Sequence, residues 1–311
     1  MEKIKVLSVV GPTASGKTAL GVYLAEQLNG EVVSCDSMQI YKGMDVATAK
    51  PTVEEMHGIP HHLIDFVDPS DSYSVARYVE DAQHVIDDIV SRGKLPIIVG
   101  GTGLYVDSLL GGISFSDQPE NEGTRVKLTL EAEKFGNLYM HQRLTEIDPE
   151  YAKTLHPNNV GRVIRAIEIF ELTGKTMSQQ LAESKVIPSQ YSAVTIGIDF
   201  NDRQALYDRI NLRVDLMLEN GILEEAKQFY SMHDAKTSAQ AIGCKEFLAY
   251  FSGEKSLEEC VEHLKMQTRR YAKRQLTWFR RNAETHWLYR DSFESFETLC
   301  ESAKNIAIEN L

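Results

Sequence analysis

Lys5-Val-Leu-Ser-Val-Val10-Gly11-Pro-Thr-Ala-Ser-Gly16-Lys17-Thr18 decides the fold. Residues 5–10 are a short, largely apolar run that reads as a first strand. The next eight residues fit GxxxxGK[ST], and residues 17–28 continue with helical periodicity. A strand, a glycine loop and a helix in that order make an anion cradle. Successive backbone N–H groups form a nest, and the helix N-terminus adds positive potential. Gly11, Pro12, Thr13, Ala14, Ser15, Gly16, Lys17 and Thr18 are therefore the expected phosphate-binding loop. Lys17 supplies a point charge, and Thr18 is the expected Mg²⁺ ligand beside phosphate oxygens. A glycine-rich turn that matches by chance is the bland alternative. The pattern leaves open which phosphate compound binds and whether ATP is used.

Outward from this loop, residues 31–35 and 95–99 read as further short strands, and 74–91 as an amphipathic helix. Strands alternating with helices imply a parallel sheet. The texture changes near residue 114. Residues 114–190 are mostly helix-like, and 192–199 return to strand character. From 201 to about 282 the pattern is helical, and 285–289 suits a last strand. The expected fold is α/β: a P-loop NTPase-like parallel sheet flanked by helices, with an inserted helical domain. The core would span 1–113 and 191–311, and the insertion 114–190. Residues 1–10 lack a cleavage site and a long apolar region, so they read as a first strand and not as a signal peptide. No apolar stretch is long enough to span a bilayer. The four cysteines, Cys35, Cys244, Cys260 and Cys300, form no paired motif, which suits a reducing cytoplasm. His57, His61 and His62 read as loop residues and not as metal ligands, because no Cys or carboxylate spacing supports a site.

Two features set the site apart from an ordinary NTPase. Strand 95–99 runs into Gly100-Gly101-Thr102-Gly103, where an acid would be expected. The acid comes instead from Asp36, after strand 31–35. Ligand groups gather at the C-terminal ends of strands in such sheets, so Asp36 and Thr102 would both lie beside the loop. Asp36 is then either a catalytic carboxylate or the cap of a turn.

The formal net charge of −12 argues on its face against a nucleic-acid partner. Its distribution argues otherwise. Residues 265–281 (KMQTRRYAKRQLTWFRR) hold seven Lys or Arg and no acid. Arg269, Arg270, Lys273 and Arg274 share one helical face, with Leu264, Tyr271 and Trp278 expected to bury against the core. That face is either a polyphosphate footprint or a solvated surface. Arg162 and Arg165 either meet RNA or pair with Glu168 and Glu171. Arg209 and Arg213, spaced i,i+4, either present two guanidiniums to one diphosphate or form a lattice with Asp208 and Asp215.

Taken together, these stretches resemble the bacterial tRNA dimethylallyltransferases, also called tRNA isopentenyltransferases, along nearly the whole chain. The matching stretches are GPTASGKT at 11–18, CDSMQIYKGMDVATAKP at 35–51, PHHLID at 60–65 and GKLPIIVGGTGLY at 93–105. PNNVGRVIRAIE at 157–168, TGK at 173–175, the helix bearing Arg209 and Arg213, AIGCKE at 241–246 and AKRQLTWFRR at 272–281 complete them. Cys244 stands where the family usually has Tyr. The resemblance implies transfer of a dimethylallyl group from dimethylallyl diphosphate to N6 of the adenosine 3′ to the anticodon, releasing diphosphate. It implies Asp36 as general base, with Thr102, Arg209 and Arg213 in the catalytic group. It implies tRNA contacts from Asp36, Ser37, Met38, Gln39 and Thr102, and from the insertion's Arg125, Gly161, Arg162, Val163, Ile164 and Arg165. Lys245, Arg270, Lys273 and Arg274 would add contacts to the anticodon arm, made by a monomer. A small-molecule kinase would leave the basic helix without a purpose. A free-nucleotide prenyltransferase would also leave the insertion arginines unused, and a plain RNA-binding module has no need of a P-loop.

Overall fold

The computed structural model describes residues 3–112, 122–184, 189–231, 238 and 241–311. In chain order the elements begin with β1 (Ile4–Val10), α1 (Lys17–Gln27), β2 (Gly30–Ser34), β3 (His61–His62), α2 (Val75–Ser91), β4 (Leu95–Gly100) and α3 (Gly103–Leu110). Next come α4 (Glu122–Phe135), α5 (Asn137–Ile147), α6 (Pro149–Ala152), α7 (Val160–Thr173) and α8 (Met177–Ser184). The remainder comprises β5 (Tyr191–Asp199), α9 (Arg203–Glu219), α10 (Ile222–Ser231), α11 (Leu248–Phe251), α12 (Leu257–Phe279), β6 (His286–Tyr289) and α13 (Phe296–Asn310).

The strands form one six-stranded sheet of order β3-β2-β4-β1-β5-β6, with every pairing parallel. Val6 to Val10 of β1 are all buried, as a central strand covered on both faces requires. Alternate residues point to opposite faces. Leu7, Val9, Ile97, Val99, Ile196 and Ile198 pack with Leu20, Leu24, Leu299 and Ala303 of α1 and α13. Around Ser34, Tyr78 of α2 stacks on Tyr105 of α3 with centroids 4.2 Å apart, and its hydroxyl donates to the Ser34 carbonyl at 3.1 Å. The expected α/β parallel sheet flanked by helices is present. β3 was not foreseen: His61 and His62, read as loop, pair with Val32 and Val33 as a short sheet edge.

Strand order explains the site. β2, β4 and β1 are neighbours, so their C-terminal ends release Asp36, Gly101-Thr102 and Gly11 side by side. The Thr102 N–H donates to the Cys35 carbonyl at 3.2 Å, joining two of these ends. Gly100 permits the approach, since a Cβ there would stand 2.0 Å from the Cys35 carbonyl oxygen.

The chain divides into two compact units, Met1–Gly111 with Ser189–Leu311, and Gly112–Pro188. The first boundary expected from sequence, 113/114, lies outside the described residues. The second unit has its own core of Leu128, Met140, Leu144, Val163, Ile164 and Ile167. Asp148 fastens it by accepting bonds from the Ser178 N–H at 2.8 Å and hydroxyl at 2.6 Å.

Candidate active site

Gly16 at φ 99° and Ala14 at φ 63° turn the loop's backbone in the left-handed region. Gly16 has the freedom for this, while Ala14 is held there by its surroundings. One holder is Arg209, whose Nε donates to the Ala14 carbonyl at 2.9 Å. A second is Gln275 of α12, which sequence reading passed over. Its Oε1 accepts from the Thr13 N–H at 2.9 Å, and its Nε2 donates to the Gly101 carbonyl at 2.9 Å. Buried at 5% exposure, Gln275 stitches the P-loop to the end of β4. Its position in the basic segment could have been found only by asking which residue of α12 faces inward.

Lys17 lies where two cavities meet. A cleft of about 950 Å³ is lined by Gly16, Lys17, Thr18, Arg209, Arg213 and Phe296, among others. A smaller cavity of about 300 Å³ is lined by Thr13, Lys17, Thr18, Asp36 to Gln39, Arg213, Lys245, Tyr271 and Arg274. Burial and then the Arg213 charge push the Lys17 ammonium down to about 8, against the opposing pull of Asp36. Burial also lowers Arg209 and Arg213 from their ordinary values, with Asp36 opposing the shift at Arg213. Lys17, Arg209 and Arg213 are thus a desolvated cluster of cations, opposed by the carboxylates of Asp36 and Glu55, and such a cluster suits a polyanion. Asp208 and Asp215 do not neutralise it. The first accepts from Gln204 at 2.8 Å, and the second pairs with Lys265 at 2.8 Å.

Asp36 Oδ1 accepts from the Met38 N–H at 2.9 Å and the Gln39 N–H at 3.4 Å. The turn-capping reading is therefore real, and it occupies one oxygen. Thr102 Oγ1 accepts from the Ser37 N–H at 3.0 Å, fixing the same turn from β4. Gln39 lines the smaller cavity, and its amide donates to the carbonyls of Thr48 at 3.2 Å and Ala49 at 3.1 Å. Those donors anchor the loop at 45–49. Glu225 of α10 holds the same loop, accepting from the N–H groups of Asp45 at 2.8 Å, Val46 at 2.7 Å and Ala47 at 2.8 Å. The loop supplies walls to both cavities.

The other expected residues divide. Arg270, Lys273 and Arg274 are exposed on α12. Arg269 is not part of that free face, because it donates to Asn211 of α9 at 2.6 Å. Tyr271 and Trp278 are half-buried, so they are not core residues as expected. The buried stripe runs instead through Cys260, Val261, Leu264, Ala272, Gln275 and Phe279. Trp278 donates to Asp107 at 2.8 Å and fills the space left by Gly103. In the inserted unit, Arg125 and Arg165 both donate to the buried carboxylate of Glu168, at 2.6 and 2.7 Å. The pairing alternative holds for Arg165. Val163 at 0% and Ile164 at 6% exposure belong to the unit's core. Arg162 is exposed beside Gly161, whose Cα faces open space. Lys245 is exposed, while Cys244 is fully buried with its thiol pushed up to about 12 by desolvation.

Among the described residues no three His, Cys, Asp or Glu converge on a metal position. That donor set fits Mg²⁺ only in the manner of a substrate-borne ion, held by one protein oxygen together with phosphate oxygens and water. Thr18 opens onto both cavities and meets that requirement.

A parallel sheet with a phosphate loop at its centre and a carboxylate opposite the loop lysine defines a P-loop group-transfer enzyme. The sequence profile described as IPP transferase matches residues 39–282, and that described as isopentenyl transferase matches residues 4–68. The tRNA dimethylallyltransferase of Acetivibrio thermocellus is 51% identical over 96% of both chains. That of Bacillus subtilis is 51% identical over 92% of this chain and 90% of its own. The crystal structure of the tRNA isopentenylpyrophosphate transferase of Bacillus halodurans aligns with TM-score 0.74 and 45% identity, covering 99% of this chain and 97% of that one. A eukaryotic dimethylallyltransferase described as acting on tRNA aligns with TM-score 0.78 and 32% identity over 98% of this chain and 80% of that one. The chain belongs to the IPP transferase family, the tRNA dimethylallyltransferases, and is a prenyltransferase.

Proposed function

We propose a division of labour for the family's reaction, transfer of a dimethylallyl group to N6 of the adenosine 3′ to the anticodon. Dimethylallyl diphosphate places its diphosphate on the loop Gly11–Thr18. Lys17, Arg209 and Arg213 oppose the charge that grows as the allylic C–O bond breaks. Thr18 would hold Mg²⁺ together with diphosphate oxygens, and the ion would supply neutralisation of the leaving group's charge. The adenine is flipped out of the anticodon loop to reach the cavity lined by Asp36, Thr102 orders that turn, and the N6 lone pair attacks the allyl carbon. Asp36 takes the N6 proton through Oδ2, since Oδ1 is occupied by the turn. Arg270, Lys273, Arg274 and Lys245 contact tRNA phosphates on the core, with Gly161 and Arg162 as contacts on the insertion. The enzyme acts as a monomer in the cytoplasm, which suits its four free and buried cysteines.

The observation that carries this reading is the meeting of a glycine-loop cleft and a cavity lined by Asp36 at one lysine, Lys17. The test incubates unmodified tRNA with labelled dimethylallyl diphosphate, beside a parallel incubation with labelled ATP. Label is expected in tRNA from the prenyl donor only. Lys17→Ala should lower the rate about 10²–10³-fold while tRNA still binds. Near-normal turnover in that variant would remove the P-loop from the mechanism.

A further inference from the structure

Beside the larger cleft, behind Gly16 and Phe296 of its wall, stands a cation that the scheme above does not use. Arg290 follows β6 in a short helical turn, Arg290–Ser292. Its guanidinium stacks 4.3 Å from the Phe296 ring centroid at the start of α13. That ring fixes where the charge can stand, since cation–π contact restricts a long side chain. Nη1 packs against the loop itself, because a Cβ on Gly16 would stand only 2.9 Å from it. Gly16 and Phe296 both line the cleft of about 950 Å³, together with Arg209 and Lys17.

Arg209 approaches the same loop from α9, held by its bond to the Ala14 carbonyl at 2.9 Å. Burial, and next the charge of Arg209, disfavour the protonated form of Arg290, so the two guanidiniums feel each other. Glu297 attracts Arg290 from α13. Among the described residues, neither guanidinium is paired with a carboxylate. Two like charges brought together at the rim of an anion nest leave an unbalanced positive potential there. An anion of several charges that bridges them relieves it.

We propose that Arg290 is a diphosphate-binding residue: with Arg209 it holds the leaving diphosphate on the cleft side of the loop Gly11–Thr18 and passes it toward the cleft. The proposal rests on the diphosphate reading of that loop. It places one guanidinium, Arg209, in the wall of the cleft that the product must cross after the C–O bond has broken, and a second, Arg290, against the loop at Gly16 beside it. No covalent step is assigned to Arg290, and its expected effect falls on diphosphate affinity more than on the chemical step.

The experiment measures inhibition of prenyl transfer by inorganic diphosphate, with Mg²⁺ present, for the unaltered protein, Arg290→Gln, Arg290→Lys and Lys17→Ala. Loss of a charge-assisted contact should raise the inhibition constant about tenfold in Arg290→Gln, with a smaller rise in Arg290→Lys. The tRNA dissociation constant should stay the same in both. A residue that only packs on Phe296 would lower the melting temperature and leave diphosphate inhibition unmoved, and that result overturns the proposal. If Lys17→Ala also leaves inhibition unmoved, the reading of the loop itself fails. Should Arg290→Gln not fold, Phe296→Leu supplies the second variant. It frees the guanidinium from its ring without removing the charge, and unchanged diphosphate inhibition there counts against Arg290 equally.

Discussion

Asp36 has two oxygens, and the turn uses one of them. Both readings of this residue, cap and catalyst, therefore hold at once without competing for the same atom. Asp36→Asn keeps the size and the Oδ1 acceptor but cannot take a proton. The variant should fold and bind tRNA, and single-turnover prenyl transfer should slow about 10²–10⁴-fold. A rate near that of the unaltered enzyme would leave Asp36 as a cap only. Lys17 gives a prediction of a different kind. Its pKa in the free protein is about 8, lowered mainly by burial. A cation with a lowered pKa loses its proton as pH rises through that value, and bound diphosphate favours the protonated form. KM for dimethylallyl diphosphate should accordingly be flat below about pH 8 and climb above it, by at most about tenfold per pH unit. A KM that stays flat to about pH 9.5 would show that the Lys17 charge does not govern binding.

At the scale of elements, the sequence was legible wherever a local pattern met a local need. The apolar run of β1, the glycine loop and the start of α1 are neighbours in the chain, so their order alone announces the cradle. The hydrophobic stripe of α12 was only partly legible. Helical spacing selected Leu264, Tyr271 and Trp278, but the inward face passes through Ala272 and Gln275, and a buried polar residue breaks an apolar pattern. Gln275 and Glu225 stayed hidden for a common reason. Each satisfies backbone groups distant in sequence, Thr13 and Gly101 for one and Asp45 to Ala47 for the other, and no periodicity encodes such partners. In the insertion, the pairing of Arg165 turned on which face Glu168 occupies, and Arg125, read only as an RNA contact, shares the same carboxylate. Glu225 makes a testable element. It ties α10 to the loop that walls both cavities, with three bonds from a charged acceptor. Glu225→Ala should lower the melting temperature and reduce kcat/KM for dimethylallyl diphosphate about tenfold or more, because the wall moves when three N–H groups lose their acceptor. Glu225→Gln, which keeps one acceptor oxygen, should recover part of both. Full kcat/KM in a folded Glu225→Ala protein would show that Gln39 holds the loop unaided.

Across the whole molecule, a chain of formal net charge −12 must bind a polyanion. The sum matters less than the distance, because at about 0.1 M salt charges more than about 10 Å away are largely screened. What the RNA feels is the nearest surface, and on α12 that surface is cationic through Arg270, Lys273 and Arg274. The acids of the same region are turned to other tasks, Asp215 to Lys265 and Asp107 to Trp278. Arg274 also lines the smaller cavity, with Asp36, so changing it would not report on RNA grip alone. Arg270 and Lys273 line neither cavity and report on grip alone. Each phosphate contact releases condensed counterions, so each contributes about 0.7–0.9 to the slope of log K against log salt. Replacing both by Gln should weaken tRNA binding and flatten that slope by roughly 1.4–1.8 units, with KM for dimethylallyl diphosphate unchanged. Lys304, already paired with Glu301 on α13, is the control: its replacement also removes positive charge, half as much as the double change, and should leave the slope where it was. Equal slopes in all three proteins would show that the basic face of α12 is a solvated surface, and the phosphate contacts would then have to be sought on the insertion, beginning with Arg162.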